Sequence, residues 1–89
     1  MNDELEAQRG VLAEQILTNP VYKEAFTIAK AELFDAWSNT KWHERKDRIE
    51  LWRQLKSIER IEKSIARVMK SGNMARSNIA QKERLKQVK

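Results

Sequence analysis

From Lys46 to Lys70 the chain reads KDRIELWRQLKSIERIEKSIARVMK, with apolar and charged residues in helical rotation. At 100° per residue, Leu51, Leu55, Ile58, Ile65 and Met69 fall on one side, and Ile61 and Val68 widen that seam. Arg53, Lys56, Arg60, Lys63, Arg67 and Lys70 recur at steps of three and four and land almost opposite. The spacing predicts one long helix over about 44–71, with Glu44–Arg48 and Glu59–Lys63 as exposed pairs four residues apart. Ser71-Gly72-Asn73 reads as its stop, because Gly accepts the left-handed conformation that closes helices.

Two shorter helices are predicted ahead of it. Residues 20–38 carry Tyr22, Phe26, Ala29, Leu33 and Ala36 at steps of 4, 3, 4 and 3, with Trp37 beside the last. Asn19-Pro20 marks the start: Asn caps well, and Pro fits a first helical position that needs no amide donor. Thr40 or a neighbour is placed to cap the helix that follows. Residues 3–18 read as a third helix, opened by the acidic run Asp3-Glu4-Leu5-Glu6. Its apolar positions (Leu5, Val11, Leu12, Ile16, Leu17) are sparse, and Gly10 costs about 1 kcal/mol relative to Ala in a helix interior. Packing on another element must order it.

The expected fold is therefore all-α: an antiparallel helical hairpin with an accessory N-terminal helix. Residues 1–75 form one helical domain, and 76–89 form a basic tail or short helix around Ile79, Leu85 and Val88. Folding 20–38 back on 44–71 brings Trp37 near Trp52, both read as core, and puts Glu62, at the seam's edge, in an inter-helix ion pair. About nineteen residues span roughly 28 Å, whereas about twenty-seven span roughly 40 Å. The end of the long helix then overhangs, to be covered by the first helix or by a second copy. A partner chain is the favoured cover, since two helices and a weak third make a thin core.

Composition narrows the chemistry. With no Cys among 89 residues, a disulfide framework, thiolate nucleophile or zinc–thiolate site is impossible. His43 is the one imidazole, and His43-Glu44-Arg45-Lys46 lacks the second His of a zinc-binding H-E-x-x-H helix. There is no glycine-rich phosphate loop, and no Ser or Thr near a base in a plausible pocket. No catalytic residue, metal site or cofactor is expected, so the reading is non-enzymatic. With no leader pattern and no apolar run near the ~18 residues of a membrane span, a soluble, unprocessed chain is expected.

Charge adds an asymmetry to the net +5. Residues 1–40 hold three basic side chains against seven acidic ones, a balance of −4; residues 41–89 hold fifteen against six, +9. The division suits self-assembly, acidic front to basic back, or an anionic partner for the second half. Arg53, Lys56, Arg60, Lys63, Arg67 and Lys70 are the candidate nucleic-acid or anion contacts; a solvated outer face is the other reading of that stripe. Trp42 is the candidate protein contact, or else closes the end of the core at the hairpin corner.

From Ile16 to Ala75 the chain also resembles a group of short tailed-phage proteins found among virion morphogenesis genes. The residues that carry the resemblance are Leu17, Asn19, Pro20, Tyr22 and Ala25 at the entry, Trp37 and Thr40 at the corner, Arg48, Leu51 and Trp52 opening the long helix, and Gly72 and Ala75 at its exit. These are caps, corner and seam, and the dense basic stripe departs from the group. The resemblance implies a virion or assembly role, in the host cytoplasm or the virion. With the self-association expected from the thin core and no membrane span expected from hydropathy, the leading reading is a structural or assembly protein that binds viral protein subunits. A nucleic-acid-binding protein for packaging or host takeover, and a small inhibitor of a host or defence complex, are the other classes the sequence allows.

Overall fold

The computed structural model describes residues 2–87, and these hold three helices and no strand: α1 (Asp3–Thr18), α2 (Pro20–Ser38) and α3 (Arg45–Gln87). The described residues divide into two compact units, 19–63 and 2–18 with 64–87, so α3 contributes to both.

In the unit of residues 19–63, Asn19 starts α2 as its sequence suggests. Its Oδ1 accepts from the amides of Val21 (2.9 Å) and Tyr22 (3.2 Å), and Pro20 takes the donor-free position. Tyr22, Phe26, Ala29, Leu33 and Trp37 are half-buried, as are Leu51, Leu55 and Ile58 of α3, whereas Ala36 and Ile61 face out. Lys30 Nζ meets Glu62 Oε1 at 2.9 Å, the inter-helix pair expected of Glu62, and the Trp37 and Trp52 rings lie 6.2 Å apart. Later residues of α2 meet earlier residues of α3, so the two stretches run in opposite directions.

Residues 39–44 join them through an arrangement that local spacing does not give. Thr40 does not cap α3: its hydroxyl donates to the Trp37 carbonyl (2.6 Å), and Arg48 Nη1 donates to the Thr40 carbonyl (3.2 Å) and hydroxyl (2.8 Å). Glu44 accepts from the Lys41 amide at 3.1 Å instead of pairing with Arg48. Glu59 likewise turns to Lys56, at 3.3 Å, and not to Lys63. Each expected i, i+4 pair is worth only about 0.2–0.5 kcal/mol, so a nearer partner displaces it.

Tyr22 carries a second consequence of the pairing. Its hydroxyl oxygen is buried with no hydrogen-bond partner among the described residues, and its pKa is raised above the ordinary 10.0 by burial and by the Glu62 carboxylate, with Lys30 opposing. The folded state therefore holds the phenol proton more tightly than the unfolded chain does. Stability is unaffected at neutral pH and falls as pH rises past the ordinary value toward the raised one. Tyr22→Phe should leave stability at pH 7 equal or up to about 1 kcal/mol higher, because it removes an unpaired buried oxygen. It should also blunt the alkaline loss. Denaturant melts at pH 7 and pH 11 test both, and a variant clearly less stable at pH 7 would count against this description of the hydroxyl.

In the other unit, α1 opens on Asn2, whose Oδ1 accepts from the Glu4 amide (2.9 Å) and whose carbonyl accepts from the Glu6 amide (3.1 Å). Gly10, Ala13, Gly72 and Ala75 are buried. A Cβ on Gly10 would stand 2.6 Å from the Gly72 Cα, so the two backbones touch where neither residue has a side chain. Asp3 Oδ2 and Lys82 Nζ, 3.4 Å apart, join the helices farther along.

Gly72 is thus not a stop. Among the described residues no glycine has positive φ, and α3 continues through it to Gln87. Glycine here supplies close approach in place of a left-handed turn, and Met74–Gln87 is rich in residues that favour helix (Met, Ala, Gln, Lys, Glu, Arg, Leu). Residues 76–87 of the expected tail belong to α3; Val88 and Lys89 lie outside the described residues. The stretch expected to need a second copy is covered by α1.

Candidate protein-contact face

A helical pair buries only a stripe on each helix, and here the stripe is shallow. Among the described residues no large side chain is fully buried; the buried hydrophobics are Ala13 and Ala75. Apolar side chains too large for such a seam are left at its margins.

One group of them forms a face in the unit of residues 19–63. The rings of Phe34 and Trp37 lie 6.1 Å apart and those of Trp37 and Trp52 6.2 Å apart, a row that runs from α2 to α3. Phe34, Ile49 and Trp52 are exposed. Trp52 is 46% exposed, which corrects its expected place in the core: it lies about 100° around α3 from Leu51, off the seam's centre. A cleft of about 390 Å³ opens between Trp37, Arg48, Ile49 and Trp52.

Cations are seated on the row. The Arg48 guanidinium stands 4.4 Å from the Trp37 ring centre while it bonds Thr40, and Lys56 Nζ stands 4.6 Å from that of Trp52 while it pairs with Glu59. Each cation–π contact is worth about 0.5–1 kcal/mol at an exposed site. The face can hold an apolar or aromatic side chain in the cleft and attract negative charge around it. Sequence spacing gives α3's share, since Arg45, Ile49, Trp52 and Lys56 follow one another at steps of 4, 3 and 4. Arg48, four residues before Trp52, borders the same side, and Phe34 and Trp37 join through the packing of α2 on α3.

All six residues of the basic stripe are exposed on α3. Arg53, Lys56, Arg60 and Lys63 belong to the unit of residues 19–63, and Arg67 and Lys70 to the other. Lys56 is committed to Trp52 and Glu59, so its charge is partly spent within the chain. Trp42 is 84% exposed on the 39–44 connection, its ring 5.6 Å from that of His43 in edge-to-face contact. It does not close the core, the second of the two places its sequence position allows.

Among the described residues no group of three His, Cys, Asp or Glu side chains is placed to hold a metal, and no helix is long and apolar enough to cross a membrane. Comparison with protein-family models, with curated proteins and with solved structures finds no match to the chain.

Proposed function

We propose that the chain is a non-enzymatic structural or assembly protein that works by binding other protein subunits. The observation that carries this reading is the imbalance between inside and outside. No large side chain is fully buried among the described residues, while Phe34, Trp42, Ile49 and Trp52 are held at the surface. Aromatic residues on a rigid support are the usual anchors of protein interfaces. The resemblance to small tailed-phage proteins supplies the setting: a phage-encoded helical hairpin acting in the virion or during its morphogenesis, in the host cytoplasm.

A second reading is supported by the exposure of all six stripe cations: binding of nucleic acid along α3. It makes a separate quantitative demand. Contact with Z phosphates of a duplex gives a log–log salt slope near −0.9Z.

Capture from infected cells with the full chain as bait, with and without nuclease, tests both. Viral structural proteins retained after nuclease are the expected result. Partners lost entirely on nuclease treatment would transfer the function to nucleic acid. One-to-one capture of a host enzyme alone would make the chain an inhibitor.

A further inference from the structure

We propose that copies of this chain associate head to tail, the outer face of α2 in one copy docking on the aromatic, basic face of α3 in the next. This deepens the assembly reading and rests on it for biological purpose, though not for its physics.

The donor face is read along α2. Val21, Glu24, Ile28, Glu32 and Asp35 follow at steps of 3, 4, 4 and 3, and all are exposed. None of the three carboxylates takes part in an ion pair among the described residues. Ile28 precedes Trp37 by nine residues, a half turn at 100° each, so this stripe points away from the aromatic row. Val21 and Ile28 are its apolar members, 72% and 47% exposed.

The acceptor face is read along α3. Arg45, Ile49, Trp52 and Lys56 are exposed, with Arg53 at their edge. Glu44, Asp47 and Glu50 lie elsewhere around the helix at 100° per residue, whereas Glu59 follows Trp52 by seven residues on this side and pairs with Lys56. The two faces are complementary: two apolar residues flanked by three carboxylates, against Ile49 and Trp52 flanked by Arg45, Arg53 and the Lys56 that Glu59 shares.

A second copy is the occupant because the chain carries both halves of the match within the same unit. The donor carboxylates enter no ion pair among the described residues, and on the acceptor face Arg45 and Arg53 enter none either, while Lys56 is shared with Glu59. The cleft between Trp37, Ile49 and Trp52 takes an apolar side chain, which α2's outer stripe supplies and a phosphate chain does not. Different patches on the two copies make the contact heterologous, so it extends into rings or chains and does not stop at a two-fold dimer.

Sedimentation of the full chain against concentration, at low and high salt, is the test. The wild type should assemble at low salt and dissociate as salt screens the charges. A triple variant Glu24→Lys/Glu32→Lys/Asp35→Lys and a triple variant Arg45→Glu/Arg53→Glu/Lys56→Glu should each be monomeric with unchanged helical circular dichroism. Mixed in equal amounts they should associate again. Should a reversal unfold the chain, Glu24→Gln/Glu32→Gln/Asp35→Asn serves instead and should weaken association at least tenfold. A wild type that stays monomeric, variants that assemble like the wild type, or a mixture that stays dissociated would overturn the proposal. A monomer that still captures viral subunits sinks this inference alone. Assembly by these faces in a chain that captures only nucleic acid sinks the proposed function and leaves the inference.

Discussion

Gly10→Ala should destabilise the chain by about 2 kcal/mol, although helix propensity alone predicts a gain of about 1 kcal/mol. The opposing effect is steric. The new Cβ would stand 2.6 Å from the Gly72 Cα, and the obstacle is backbone, not the end of a flexible side chain. Overpacking a filled site costs about 1–3 kcal/mol, and more where whole helices must separate. Gly72→Ala meets the Gly10 backbone in the same way and should cost as much. The loss should be local. Amide exchange should quicken in α1 and in residues 64–87, while the amides of 19–63 keep their protection. A Gly10→Ala protein as stable as the wild type would mean that the backbones do not meet there. For a small domain holding 5–15 kcal/mol in total, the expected loss is a large share.

Trp37→Ala is the second large effect, expected at about 2–3 kcal/mol. Truncating a fully buried Trp costs about 3–5 kcal/mol, and Trp37 is only half-buried, which lowers the figure. Three neighbours raise it again: the rings of Phe34 and Trp52, and the Arg48 guanidinium seated on its face. Arg48 also ties down the 39–44 connection through Thr40, so the variant should loosen that corner as well. Denaturant titration followed by circular dichroism, with exchange at residues 39–44, measures both parts. A loss under 1 kcal/mol, with the corner still protected, would show that the aromatic row only decorates the surface.

At Gly72 the local pattern misleads for a tertiary reason. Ser71-Gly72-Asn73 looks like a terminator because glycine serves two purposes with opposite consequences, closing a helix or letting a second backbone approach it. Which applies depends on what lies opposite, and Gly10 is 62 positions away in the chain. Gly10 itself looked like a defect in a weak helix for the same reason. Spacing places Glu44 and Glu59 in i, i+4 pairs, yet each takes a partner three residues away, Lys41 and Lys56, while Thr40 bonds the Trp37 carbonyl and Arg48 at the corner. Hydrophobicity places Trp52 in the core, but a seam between two helices is too narrow to take every large ring.

Other features came directly from residue order. The Asn19-Pro20 cap, the half-buried run from Tyr22 to Trp37, the Lys30–Glu62 pair's α3 member and the outward stripe of six cations are all properties of nearest neighbours and helical period. Such features are decided within one or two turns, where the chain's own geometry leaves little choice. The length of α3, the purpose of its glycine and the assembly of the aromatic row depend on residues far apart in the chain, and only the tertiary structure decided them. Backbone approach and ring contact are set by the surface a residue meets, and no local period encodes that surface.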